Sequence, residues 1–241
     1  SLLIRDKKGV LPTEIGSMVL ENFSQMLSLY DDTIAKINNS RVFEKPLIIY
    51  SVPSISNACG SLLLNKLHHE FCQLQVNFEE ILPKDLPRLY DQPNAVALTF
   101  DHDYQNTHLD ELPDLVSITL KNEPIYSFAA KDSPYAQGID EKTQYIAFRK
   151  FFTGEDNATI YCNNAAVSLE YILNKHAVQS LPFSMGKLLY PNSNVLAIPG
   201  KKPEFVSYKL VVPSSLFESE LKSVVEKIIF IMQEILNTYD K

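Results

Sequence analysis

The chemistry this chain can offer is concentrated in short polar turns. Ser51-Val52-Pro53-Ser54-Ile55-Ser56-Asn57 sets three hydroxyls and an amide where an apolar run gives way to a helical pattern. Groups of this kind, together with the free N–H groups of a helix N-terminus, suit the holding of a small polar or anionic ligand. They do not by themselves make or break bonds. Thr99-Phe100-Asp101, Ser127-Phe128 and Cys162-Asn163-Asn164 repeat the theme at the ends of other apolar runs, with Phe100 and Phe128 able to cover an apolar part of a ligand. The bland reading stays open beside it, because Ser and Asn begin helices in every α/β protein. Asp101 would repel a carboxylate unless paired, and so suits an amine or simply faces water. Arg149 and Lys150 could meet an acidic ligand or serve as ordinary surface cations.

Signals for catalysis and metal binding are thin. With seven glycines in 241 residues there is no Gly-x-Gly-x-x-Gly, no phosphate-cradling loop with Lys and Ser or Thr, and no Gly-x-Ser-x-Gly elbow. Ser, His and Asp occur without the positional constraint that would mark a triad, so the expectation is no enzyme. His68 and His69 are adjacent and point to different sides of a helix, and Asp101-His102-Asp103 reads as a short polar turn without a spaced partner; no metal and no cofactor is expected. Cys59, Cys72 and Cys162 have wide spacing that fits neither a disulfide framework nor a zinc site, and they read as thiols in a reducing compartment. The net charge of -7 argues against this stretch gripping a phosphate backbone unaided. No apolar run is long enough for a membrane span or a secretory signal, so a cytoplasmic location without membrane contact is expected.

The elements that must position these turns follow from periodicity. Ile15, Val19, Phe23, Met26, Tyr30, Ile34 and Ile37 recur at three- and four-residue steps, which predicts a helix of about seven turns from an N-cap at Thr13 to a stop at Asn38-Asn39-Ser40. So long an amphipathic helix ahead of the first strand suits pairing with a second copy. Then strands and helices alternate: a strand over Leu47 to Val52, and a helix over Ser54 to Phe71 opened by Ser54, Ser56 and Asn57, with Leu62, Leu63, Leu67 and Phe71 inward. A strand over Gln75 to Ile81, a short helix or turn over Pro83 to Asp91 and a strand over Ala95 to Phe100 complete a unit of parallel-sheet type. A second such unit comprises strands at Ile125 to Ala130, Tyr145 to Phe151 and Ala158 to Cys162, then a helix capped by Asn163 or Asn164 and the segment Ala177 to Pro182. A strand at Val206 to Val212 leads to a closing helix over Ser219 to Thr238, whose core face is read as Leu221, Val224, Val225, Ile228, Ile229, Met232, Ile235 and Leu236.

Residues 2 to 16 resemble the end of the winged helix-turn-helix of LysR-type transcriptional regulators. Leu2, Arg5, Lys8, Gly9, Thr13 and Gly16 fall at the family's spacing, while Pro12 stands where the family usually has Leu. The resemblance continues through Pro46-Leu47-Ile48-Ile49-Tyr50-Ser51, Leu62-Leu63-Leu64-Asn65-Lys66-Leu67, Glu123-Pro124-Ile125-Tyr126-Ser127-Phe128 with Ser133-Pro134-Tyr135-Ala136, and Ala177-Val178-Gln179-Ser180-Leu181-Pro182. It implies an α/β fold of two Rossmann-like subdomains joined by two crossover strands, as in type II periplasmic binding proteins, preceded by a long linker helix. Residues 1–12 would be a wing remnant, 13–39 the linker and dimerisation helix, 46–123 with 205–241 one effector-binding subdomain and 124–204 the other. The crossings would fall near Lys121 to Pro124 and Glu204 to Lys209. The effector-contacting residues by this resemblance are Ser51, Pro53, Ser54, Ser56, Asn57, Thr99, Phe100, Ser127, Phe128, Asn163 and Asn164. The expected partners are a small-molecule effector, DNA through an N-terminal domain outside this chain, and further copies in a homodimer or homotetramer. The rivals are a solute-binding protein of a transporter and an enzyme on the same bilobal fold.

Overall fold

The computed structural model describes residues 2–6, 9–39, 43–108, 114–139, 143–147, 158–191, 194–200 and 204–239. Strands β1 (Leu3–Asp6) and β2 (Gly9–Pro12) form an antiparallel hairpin in which Asp6 faces Gly9. Gly9 takes a φ of 137°, a conformation that side chains disfavour. The hairpin leads directly into helix α1 (Glu14–Asn39), where the Thr13 hydroxyl accepts from the Gly16 N–H at 2.9 Å, as an N-cap does. The Thr13 N–H in turn bonds to the Leu2 carbonyl at 2.9 Å. A side chain at Gly16 would place its Cβ 2.0 Å from that carbonyl oxygen, so glycine is what lets the hairpin close onto the helix. Phe23, Met26, Leu27 and Tyr30 are all about 60% exposed along α1, so these apolar residues are left uncovered.

The first lobe follows the expected alternation: β3 (Leu47–Ser51), α2 (Pro53–Glu70), β4 (Val76–Glu80), a 3-10 segment (Pro83–Asp91), β5 (Ala95–Phe100) and a short α3 (Asp101–Asn106). Strand β3 runs parallel to both β4 and β5. Every residue of β5 is buried because both faces of the sheet are covered. Its Val96 and Leu98 join the main core, while Ala95 and Ala97 pack with Tyr50, Leu86, Leu89 and Val211 under the 3-10 segment.

The second lobe contains β7 (Tyr145–Ala147), β8 (Ala158–Tyr161), α4 (Ala165–Leu173), β9 (Gln179–Pro182), α5 (Phe183–Leu189) and β10 (Val195–Pro199). Two strands belong to the junction. β6 (Leu115–Ala130) pairs antiparallel with β11 (Phe205–Pro213) as far as Pro124, then with β9 and β10 from Ile125 and Tyr126 onward. The chain closes with a 3-10 turn (Ser214–Glu218), α6 (Lys222–Leu236) and a last turn (Asn237–Tyr239). The two lobes repeat one plan: β3 lies between β4 and β5, and β7 lies between β8 and β9, to which it is tied by a parallel bridge from Tyr145 to Val178. Two Rossmann-like subdomains joined by two crossover strands is thus the architecture observed. No helix among the described residues is long and apolar enough to cross a membrane.

Several local expectations are corrected. Helix α2 starts at Pro53 with Val52 at its cap position and no side-chain cap, because proline presets the first helical turn and has no N–H to satisfy. Leu62 is 40% exposed on that helix, while Leu63 and Leu67 carry the packing. On α6 it is Ile231 that is buried and Ile229 that is half-buried. The polar stretch at Asp101 forms a helix instead of a turn. Of the strand expected over Tyr145 to Phe151, the first three residues are described; Arg149 and Lys150 lie outside the described residues.

Candidate functional site

In a sheet where the chain leaves the central strand to one side and returns on the other, the loops diverge and open a crevice at the strands' carboxyl ends. In the first lobe that switch lies between β3 and β5, and β3 ends at Ser51. The Ser51–Asn57 turn therefore stands at the crevice. Pro53 is buried at the first helical position and no side chain caps α2, so the positive end of that helix dipole has no side-chain partner among the described residues. Ser51 Oγ bonds to the Val52 carbonyl at 3.3 Å. Ser54 is fully buried and its hydroxyl has no hydrogen-bond partner among the described residues. The Ser56 hydroxyl bonds to the Glu80 carboxylate, which opposes the upward push that burial gives that acid.

The second lobe reaches the same place through the start of α4. Asn164 caps that helix, its side-chain oxygen accepting from Ala166 and Val167 N–H groups at 3.0 and 3.1 Å. The Asn57 amide donates to the Pro53 carbonyl at 2.7 Å and across the lobes to the Asn163 carbonyl at 3.3 Å. Asn163 Oδ1 is buried without a hydrogen-bond partner among the described residues. Two buried polar groups from opposite lobes, Ser54 Oγ and Asn163 Oδ1, thus lack partners on either side of one interlobe bond. An unsatisfied buried group costs about 1–3 kcal/mol, which a ligand supplying the missing bonds would relieve.

Thr99 and Phe100 end β5 beside the same switch point, while Ser127 and Phe128 lie on β6. Phe100 lies in the core against Tyr208, with ring centroids 5.2 Å apart, and stacks on His102 at 5.7 Å. Phe128 packs over Gly186 and against Tyr190. Both rings are buried in these packing contacts. The Thr99 hydroxyl donates to Asp103 at 3.4 Å, and Ser127 is buried in β6 opposite Ser180 and Ile198. Asp101 faces neither amine nor open water alone: its carboxylate accepts from the Ser207 N–H of β11 at 3.3 Å.

Two groupings were not anticipated from the sequence. At the junction a cavity of about 340 Å3 is lined by Asp101, His102, Gln105, Ile125, Glu204, Phe205 and Val206. Beneath it, burial pushes the Asp103 carboxyl up to about 6, against the opposing charge of His102, whose Nε2 is 3.3 Å away. The second is the buried pair of Lys121 and Glu123 on β6. Alternation along β6 puts both side chains on one face, but that signal exists only once Lys121 to Pro124 is known to be strand. The three cysteines are free thiols; burial and the nearby Glu123 charge push Cys59 up to about 12. Among the described residues no group of three or more His, Cys, Asp or Glu side chains is arranged to hold a metal ion.

No family model and no curated protein sequence matches the chain. Solved structures do. The oxidized form of Corynebacterium glutamicum OxyR is 16% identical, with 98% of this chain covering 78% of that one at a TM-score of 0.56. The reduced OxyR regulatory domain from Pseudomonas aeruginosa is 14% identical, with 79% of this chain covering 95% of that one at 0.60. A transcriptional regulator from Vibrio parahaemolyticus, so named provisionally, is 10% identical over 81% of this chain and 97% of its own, at 0.63. Over nearly its whole length the chain has the fold of these LysR-type regulators, and over 79% of it that of the OxyR regulatory domain.

Proposed function

We propose that this chain is the linker helix and effector-sensing region of a LysR-type transcriptional regulator. A small polar metabolite binds between the lobes, and DNA is read by a winged helix-turn-helix joined to the β1–β2 hairpin. The observation that carries the reading is the interlobe bond from Asn57 to Asn163, with unsatisfied polar atoms on Ser54 at the start of α2 and on Asn163 itself. The uncapped start of α2 favours a negative group on the ligand, and the amide and hydroxyl fix its orientation. A ligand controls DNA binding only so far as it prefers one lobe pose, and coupling of about 1–3 kcal/mol is the usual scale. The role is non-enzymatic, and α1 pairs with a second copy to place two reading heads side by side.

The test is a thermal-shift screen of the purified chain against small carboxylic, hydroxy and amino acids, followed by calorimetry on Ser54→Ala and Asn57→Ala. A compound that stabilises the unaltered chain and loses at least about tenfold in affinity, or about 1.4 kcal/mol, in both variants supports the reading. Binding undiminished by either substitution would move the site elsewhere.

A further inference from the structure

Lys121 and Glu123 leave the same face of β6 where that strand passes from one sheet to the other. They form an ion pair at 3.0 Å with side chains only 10% and 4% exposed. Each also holds the end of a helix. Glu123 accepts from the Ser184 N–H at 3.1 and 3.2 Å, one bond to each carboxylate oxygen, from the Ser184 hydroxyl at 2.6 Å, and from the Tyr208 hydroxyl at 2.9 Å. Lys121 donates to the Leu236 carbonyl at 2.7 Å. Ser184 belongs to the first turn of α5, in the second lobe, and Leu236 is the last residue of α6, in the first. An anion therefore meets the positive end of one helix and a cation the negative end of the other, the favourable sense at both.

Removing two such charges from water is expensive, and a pair of well-packed apolar residues often gives equal or greater stability. What the ion pair supplies that an apolar pair would not is direction. We propose that Lys121 and Glu123 form a latch that fixes the angle between the lobes by clamping the start of α5 to the end of α6. The lobes turn relative to one another only when Glu123 releases Ser184. The latch is made without a ligand in the cleft, so it is tested independently of the sensing role, and a ligand that favours another lobe pose has to overcome it.

The test reads the interlobe distance in the full chain. Nitroxide labels are placed at Ser61→Cys on α2 and Glu170→Cys on α4, both exposed positions, with Cys72→Ser and Cys162→Ser removing the accessible native thiols. Labelled chains are diluted into unlabelled protein so that pulsed electron resonance reports intrachain distances. The latched protein is expected to give one narrow distribution. In Lys121→Met/Glu123→Leu, whose apolar replacements keep the site filled, the distribution broadens about twofold or splits; Ser184→Ala broadens it less. Should the double variant fail to fold, Ser184→Ala decides alone. A broad distribution in the unaltered protein, or folded variants with an unchanged one, would overturn the latch.

Discussion

At the scale of single residues, the groups that matter most are those held away from water. Asp103 is buried against the Thr99 hydroxyl and the His102 ring, and its pKa of about 6 exceeds the ordinary 3.8 chiefly because burial disfavours its charge. A carboxyl whose pKa is raised on folding adds stability that is fully present below about pH 3.8 and is lost as pH rises through about 6. Asp103→Asn removes that dependence while keeping an acceptor for Thr99. It is expected to raise the melting temperature at pH 8, by at most about 3 kcal/mol of stability, with the gain shrinking to nothing near pH 4. Melts from pH 4 to 8 that show a loss at pH 8 would mean the charged form is the stabilising one. Cys59 makes the complementary case for a thiol. Protonated up to about 12, it should escape iodoacetamide at pH 8 while exposed Cys72 is alkylated, as peptide mapping by mass spectrometry would reveal.

At the scale of elements, two substitutions probe how helices are seated. Asn164→Ala removes the only side-chain cap of α4 among the described residues and is expected to cost about 1 kcal/mol in chemical unfolding. Gly186→Ala should cost more, about 1–3 kcal/mol, because the new Cβ would lie 2.0 Å from the Phe128 ring, which is fixed between β6 and Tyr190. Equal costs would mean that α5 shifts freely. The same contrast explains what the sequence could disclose. Helix α1, β3 and β5 were legible because their own residues carry the period, and the Ser51–Asn57 turn because a proline and hydroxyls follow an apolar strand directly. Strand β6 was legible in part: the sequence marks Ile125 to Ala130 as strand and the family resemblance puts a crossing near Lys121 to Pro124, but neither shows the start of the strand at Leu115, nor that Ser184 and Tyr208 satisfy Glu123. The packing partners of Phe100 and Phe128 were not legible for a related reason: what a ring at a strand end touches is decided by the elements packed above it, here Tyr208, His102 and Gly186.

At the scale of the whole molecule, α1 extends 26 residues, and Ile15, Met18, Leu20, Phe23, Met26, Leu27, Leu29 and Tyr30 along it are exposed, an apolar surface that suits a partner. Phe23→Glu/Met26→Glu is expected to halve the sedimenting mass without changing the helical circular dichroism signal. A monomer before substitution would show that something other than a second copy covers the helix. One further consequence comes from β6, whose two halves serve different sheets without a break in the backbone. Neither half of the protein owns a complete set of strands. Heat should therefore melt both together, with calorimetric and van't Hoff enthalpies in agreement, and a fragment cut at Pro124 would inherit a frayed edge in place of an intact domain.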